Sequence, residues 1–362
     1  MGSFPAVLVV GACLLLLALG TSAQQLNCVS KLQNGRITGH CISIRECDYF
    51  MRILTSGNPT QSDRNLLREN QCGQKGRDVL VCCPSTAGLG ALTHPLLPTD
   101  CGTARWQRSN DTETRIREFP WLALIEYTKA SNEEKLHGCG GVLISERYVL
   151  TAAHCVVQAM TNNLRISAVR LGEWDTSTNP DCQFHEDTQK ADCAPAYQDI
   201  GVEETLPHPL YNSSNLSQAN DIAIIRLETP AKLNDFVVPI CLPNKQLRAD
   251  ELEGLVTEQA GWLAKSSPRM RKNFVTISSI ADCHLKYSAH KLSIQSSQLC
   301  GFVSSKECHG NSGGPLMLFK NDAYLLGGLV SFGPVPCPNP DWPDVYTRVA
   351  SFIDWIHNSL RE

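Results

Sequence analysis

The chain has 362 residues, a formal net charge of −4 at pH 7 and 17 cysteines. This length allows two domains, and so many cysteines are typical of an oxidising compartment rather than of the cytosol. The acidic balance and the absence of basic blocks argue against nucleic acid or an anionic membrane surface as a partner.

The first 23 residues have the pattern of a cleaved secretory signal. An apolar core from Ala6 to Leu19 is followed by the small residues Thr21-Ser22-Ala23. The core is too short to span a bilayer comfortably, and no later segment reaches about 18 consecutive apolar residues. We therefore expect a secreted protein without a membrane span. Three Asn-x-Ser/Thr sequons are expected glycosylation sites on its surface. They are Asn110, Asn212 and Asn215.

Residues 24–83 are predicted to form a small domain. Aromatic residues and long apolar runs are scarce there, so core burial alone cannot stabilise it. The segment has six cysteines, at positions Cys28, Cys41, Cys47, Cys72, Cys82 and Cys83. A zinc site is not expected, because the Cys-x₂-Cys spacings of such sites are absent. Disulfides are expected instead. Removing Cys13 with the signal leaves an even number of cysteines in the mature chain.

Residues 84–105 are predicted to be a linker and activation region. From Pro84 to Asp100 the chain is rich in Pro, Gly, Ala, Ser and Thr and has no periodicity. Cys101-Gly102 then opens the tether to the second domain, which we assign to residues 106–362.

Short β-rich runs alternate with turns through the second domain. They extend over residues 122–127, 141–144, 169–171, 222–227, 325–330 and 345–349. This pattern is typical of an all-β domain and suits paired barrels. The chain then ends with an apolar pattern of helical spacing over residues 351–356.

Three motifs in this domain carry residues with catalytic chemistry. His154 follows an apolar run, within Thr151-Ala152-Ala153-His154-Cys155, and could act as a base. Asp221 opens a strand-like run and could orient the tautomer of that histidine. Ser312 lies in Gly310-Asn311-Ser312-Gly313-Gly314-Pro315, a glycine turn that would expose its hydroxyl and aim the N–H groups of Gly310 and Ser312 at one point, as an oxyanion hole requires.

Each motif alone is a weak signal, because a histidine beside a cysteine is more often structural and an aspartate at a strand start is usually a turn residue. The chain order His154, Asp221, Ser312 is more specific, since subtilisin-like enzymes and α/β-hydrolases use other orders. The domain therefore resembles the chymotrypsin-like, trypsin-type serine proteases. Ser331 resembles the residue that supports the aspartate in that family.

This resemblance covers residues 101–362 and implies a double β-barrel with a C-terminal helix. The disulfides that it implies are Cys101–Cys241, Cys139–Cys155, Cys182–Cys193, Cys283–Cys300 and Cys308–Cys337. The six-cysteine order that ends in Cys82-Cys83 resembles the clip domain of arthropod clip-domain serine proteases. The pairs implied by that likeness are Cys28–Cys82, Cys41–Cys72 and Cys47–Cys83. A generic disulfide knot is the alternative.

The activation switch departs from the family pattern. In chymotrypsin-like zymogens a cut frees an Ile-Val-Gly-Gly end, whose ammonium pairs with the aspartate before the catalytic serine and shapes the oxyanion hole. This chain has Asn311 at the aspartate position, and residues 106–111 read Trp-Gln-Arg-Ser-Asn-Asp. The Arg115-Ile116 step lies too close to Pro120 to supply a tail of sufficient length. A buried ammonium without a charged partner costs several kcal/mol.

The primary specificity pocket also departs from the trypsin pattern. Lys306 lies six positions before Ser312, where trypsin-like members have an acid. Asp344 resembles a pocket-wall position that is usually glycine, and Ser331 and Gly333 are expected in the same pocket. Lys306 is expected either to pair with Asp344 or to reach solvent. Neither arrangement leaves a normal trypsin pocket.

These features predict a clip-domain serine protease homologue that is catalytically silent or weak. By resemblance it is a cofactor or regulator in an extracellular proteolytic cascade of innate immunity, of the melanisation or Toll type, in haemolymph. Other clip-domain proteases and prophenoloxidase are the expected partners, and no cofactor or metal is expected. The alternative is an active serine endopeptidase that uses the triad; a structural or scavenging secreted protein is the third candidate.

Overall fold

The computed structural model describes residues 27–32, 35–47, 50–51, 54, 61–76, 78–84, 94–103, 110–129, 131–185, 189–262, 267–304, 311–320, 323–334, 339 and 341–362. The chain divides into two compact units, Met1–Cys83 and Pro84–Glu362. The predicted signal and the predicted Cys308–Cys337 pair lie outside the described residues. No helix in the described ranges has both the length and the hydrophobicity needed to cross a bilayer.

The smaller unit is built on a four-stranded sheet in the order β1-β2-β4-β3. Its elements are β1 (Asn27–Leu32), β2 (Gly35–Ser43), a 3₁₀ turn (Ile44–Glu46), α1 (Gln61–Glu69), β3 (Gln71–Lys75) and β4 (Asp78–Pro84). Among its described residues, few apolar side chains form the core, and these include Phe50, Leu66 and Val81. Three disulfides cross-link it, Cys28–Cys82, Cys41–Cys72 and Cys47–Cys83. So small a core depends on such cross-links.

The first half of the larger unit is a closed barrel of six strands in the order β11-β12-β7-β6-β5-β8. Its elements are β5 (Leu122–Lys129), β6 (Lys135–Ser145), β7 (Tyr148–Thr151), α2 (Ala153–Thr161), β8 (Leu164–Leu171), β11 (Gln198–Pro207) and β12 (Ala223–Leu227). A hairpin of β9 (Cys182–His185) and β10 (Lys190–Cys193) interrupts the order. All five residues of β12 are buried, so both faces of this strand are covered.

The second half is a closed barrel in the order β13-β14-β15-β18-β17-β16. Its strands are β13 (Val256–Gly261), β14 (Arg271–Ser278), β15 (Gln298–Val303), β16 (Pro315–Lys320), β17 (Ala323–Phe332) and β18 (Asp344–Arg348). Helix α3 (Ile280–Ser288) begins at Ser279, whose hydroxyl accepts a hydrogen bond from the backbone N–H of Asp282. A 3₁₀ turn (Val349–Phe352) leads into the C-terminal helix α4 (Ile353–Ser359).

The predicted all-β fold, with two barrels, a C-terminal helix and a disulfide-linked domain before them, is confirmed. Two predicted strand ends are wrong. Ile222 precedes β12, and Val349 opens the 3₁₀ turn after β18. Both side chains are fully buried. The apolar runs therefore predict which side chains are buried but do not predict the residue at which a strand ends.

Four disulfides join described cysteines of the larger unit, and each has the partner that the resemblance implied. They are Cys101–Cys241, Cys139–Cys155, Cys182–Cys193 and Cys283–Cys300. Cys139–Cys155 links β6 to α2, next to the candidate base.

Candidate active site

His154 and Asp221 are brought together by two neighbouring strands of the first barrel. β7 pairs with β12 so that Thr151 lies opposite Ala223. His154 follows β7 as the second residue of α2, and Asp221 precedes β12, so both lie at the same end of the pair. The Nδ1 atom of His154 lies 2.8 Å from Oδ2 of Asp221, and the backbone N–H of His154 donates to Oδ1 at 2.9 Å.

Asp221 is fully buried, and its carboxylate is held by donors. Besides the two bonds from His154, the hydroxyl of Ser331 donates to Oδ2 at 2.6 Å. Thr347 donates to the backbone carbonyl of Asp221 at 2.7 Å. A buried carboxylate is tolerated when its oxygens accept such bonds. With Nδ1–H directed at the carboxylate, the Nε2 atom of His154 is left as the basic nitrogen.

The turn that carries Ser312 lies between the two barrels. The N–H of Gly313 donates to Val330 O, and the N–H of Gly140 donates to Ser312 O, both at 2.8 Å. Gly313 has φ of +76°, and a Cβ there would lie 2.2 Å from Oγ1 of Thr151. The position therefore requires glycine. These contacts bring Ser312 into the neighbourhood of His154: Cys155 Sγ lies 3.6 Å both from Ser312 O and from His154 Nε2.

The described part of the site holds the oriented imidazole of His154 and the half-buried residue Ser312. Among the described residues no hydrogen bond joins Ser312 Oγ to His154 Nε2, as is common in sites without substrate. Gly310, the predicted second oxyanion donor, lies outside the described residues. Although Cys139, His154 and Cys155 are close together, the two sulfurs are bonded to each other and are not thiolate ligands.

Asn311, at the predicted activation position, is half-buried and bonded through both atoms of its side-chain amide. The backbone N–H of Trp262 donates to Oδ1 at 2.8 Å, and Nδ2 donates to Gly138 O at 3.2 Å. The same residue's carbonyl accepts from the N–H of Gly314 at 2.8 Å. The side-chain amide at the position expected to receive a free ammonium thus already bonds to other groups of the chain.

The segment before β5 is fixed along the second barrel. The N–H of Lys272 donates to Thr112 O at 2.9 Å, and Thr114 Oγ1 donates to Met270 O at 2.6 Å. Lys272 is fully buried and forms an ion pair with Glu118. Ile116 is 1% exposed. The Arg115-Ile116 step therefore has its apolar residue in the core. Arg105 and Arg108, after which a trypsin-type protease could also cut, lie outside the described residues.

The predicted pocket wall contains a buried acid. Asp344 is 3% exposed, and a Cβ on Gly333 would lie 2.3 Å from its Oδ1 atom. Burial, together with the charge of Asp344, raises the pKa of the Tyr287 hydroxyl. Asp344 thus lies against the backbone at Gly333, where a larger residue would displace it. Lys306 lies outside the described residues, so its ion pair with Asp344 stays a prediction.

Several partners of these residues were missed in the sequence. Gly138 and Trp262 contact Asn311 through backbone atoms, and Thr347 reaches the backbone of Asp221 from β18. The sequence does not predict such contacts, because residues distant in the chain meet there only when the barrels close. The three sequon asparagines are exposed, and their glycosylation stays a prediction.

Residues 109–356 match the family model described as Trypsin, and residues 32–83 match the model described as Regulatory CLIP domain of proteinases. Serine protease ea of Drosophila melanogaster is 41% identical over 347 residues, which is 88% of each chain. Melanization protease 1 of the same species is 37% identical over 369 residues, which is 90% of this chain and 91% of that one. The crystal structure of the drosophila Grass clip serine protease of Toll pathway covers 92% of this chain and 97% of its own, with 27% identity and a TM-score of 0.63.

Proposed function

The chain belongs to the trypsin family of serine proteases and carries a clip domain, and we propose that it is a protease homologue that is catalytically silent or weak. The observation that carries this proposal is Asn311. Its amide supplies no charge for the ammonium of a cleaved end, and both ends of the amide are already bonded, to Gly138 and Trp262.

The expected loss of catalytic rate is large enough to support a silent or weak protease homologue. Removal of a single oxyanion donor typically lowers the rate about 10²–10³-fold, and an unformed hole loses both donors. A buried ammonium without its counter-ion costs several kcal/mol, so cleavage gives little free energy with which to form the hole. The alternative, an active endopeptidase, is favoured by the bonded His154–Asp221 pair and by Ser331 beneath it.

The proposed role is that of a cofactor or regulator in an extracellular cascade of innate immunity. The names of the relatives, one a melanization protease and one a protease of the Toll pathway, support this assignment. On this proposal the protein is secreted into haemolymph, where other clip-domain proteases and prophenoloxidase are its partners. Such a role requires surfaces for binding and does not require the hydroxyl of Ser312.

Reconstitution tests this role. We expect the native protein and Ser312→Ala to raise phenoloxidase activity equally when each is added to a clip-domain protease and prophenoloxidase, because only binding is needed. Ser351→Ala, at an exposed serine outside the site, is the matched control. A rise that requires Ser312 would favour the active endopeptidase. No rise with either protein would contradict the cofactor role.

A further inference from the structure

The side chain of Asn311 connects the two barrels. Gly138 belongs to β6 of the first barrel, and Trp262 directly follows β13 of the second. The Nδ2 atom donates to the carbonyl of Gly138, and Oδ1 accepts from the N–H of Trp262. This orientation of the amide is determined by its partners, since a carbonyl oxygen can only accept and a backbone N–H can only donate.

The backbone around this amide is closely packed. A Cβ on Gly261 would lie 2.7 Å from Oδ1 of Asn311, and a Cβ on Gly140 would lie 3.1 Å from Cβ of Asn311. Glycine at both positions lets the two barrels approach the side chain from opposite sides. The turn at Asn311 is also tied to the first barrel through the bond from Gly140 N to Ser312 O.

An ionised aspartate cannot make both of these bonds at neutral pH. An ionised carboxylate only accepts hydrogen bonds. It would keep the bond from Trp262 but would place a negatively charged oxygen against the carbonyl of Gly138. Only when protonated could the carboxyl group donate to that carbonyl. The site thus selects a side chain of this shape that is a donor at one end and an acceptor at the other.

We propose that Asn311 is a positioning residue that holds the Ser312 turn between the barrels independently of any cut in the chain. This inference rests on the proposed function and deepens it: the amide replaces the ion pair by which other family members couple the turn to cleavage. The turn is set when the chain folds, and proteolysis in the activation region leaves it unchanged.

Thermal unfolding of the full secreted chain tests the inference, with Asn311→Asp and Asn311→Ala compared with the native protein between pH 4 and pH 8. At pH 7.5 we expect Asn311→Asp to unfold about 5 °C lower. We expect the facing carbonyl of Gly138 to outweigh the bond from Trp262 N–H and to raise the pKa of the introduced carboxyl in the folded state, so the deficit should grow as pH rises above the unfolded value of about 4 and shrink towards pH 4. Asn311→Ala should lose stability by a similar amount at every pH.

Hydrogen exchange gives a local measurement that does not depend on the aspartate variant folding. In Asn311→Ala the amide of Trp262 loses its acceptor and should exchange about tenfold faster. In the native protein its exchange should be the same before and after cleavage at Arg108. An unchanged Trp262 rate in Asn311→Ala, a change on cleavage, or an aspartate deficit that is equal at pH 4 and pH 7.5 would overturn the inference.

These experiments distinguish failure of this inference from failure of the proposed function. If the native protein hydrolyses peptides but the pH-dependent deficit is found, the proposed function fails and the role of Asn311 stands. If the protein is silent but the deficit is missing, the role of Asn311 fails and the proposed function stands.

Discussion

Asp221 bonds to His154, Asn311 directly precedes Ser312, and the two side chains are held in opposite ways. Asp221 is fully buried with a carboxylate that accepts three hydrogen bonds, two from His154 and one from Ser331. Asn311 donates one bond and accepts one through its side chain. Because a buried charge requires matched donors, the first position requires an acid and the second an amide. On the proposed function, the base is preserved while the charge-dependent switch is lost.

Replacement of Asp221 is expected to have the largest effect on the free energy of unfolding. Asp221→Asn should lower the free energy of unfolding by about 3 kcal/mol, because an amide cannot accept all three bonds and places N–H groups against donors. Denaturant unfolding gives the value. The matched control is Asp354→Asn, whose exposed ion pair with Lys245 should contribute less than about 1 kcal/mol. Equal values for the two variants would show that Asp221 is not held as described.

Glu173, another buried acid, sharpens the comparison because its neighbour is also an acid. Burial and the nearby Asp181 raise its pKa to about 7, against the opposing effect of Arg170. A raised carboxyl pKa favours the protonated form in the folded state. Glu173 therefore costs little stability below the unfolded value of about 4.3, and the cost grows as pH rises towards 7.

Removal of this acid should make the free energy of unfolding less dependent on pH. As pH rises from 5 to 8, we expect the stability of Glu173→Gln relative to the native chain to increase by about 1–2 kcal/mol. Denaturant unfolding at several pH values, with a chelator present so that divalent cations do not neutralise the acid pair, measures this difference. Glu253→Gln, at an exposed position, is the control. A gain that is constant with pH would contradict the assignment.

Asp221, Asn311 and Glu173 show how much of the site can be predicted from the sequence. The order of His154, Asp221 and Ser312 is visible because each belongs to a local motif beside an apolar run. The substitution at position 311 is visible for the same reason. The partners of Asn311 are not, since Gly138 O and Trp262 N are backbone atoms that only barrel closure brings together. Nor is the raised pKa of Glu173, which depends on burial beside Asp181.

The central claim is that the Ser312 turn does not become a working nucleophile site on cleavage. Hydrolysis of a panel of peptide esters by the chain cut at Arg108, compared with identically treated Ser312→Ala, tests it most directly. We expect the two rates to agree within a few-fold, because Asn311 supplies no charge to a new end and the oxyanion hole stays unformed. A cut native chain that hydrolyses any ester more than about 10²-fold faster than Ser312→Ala would contradict it, since that ratio requires a working triad.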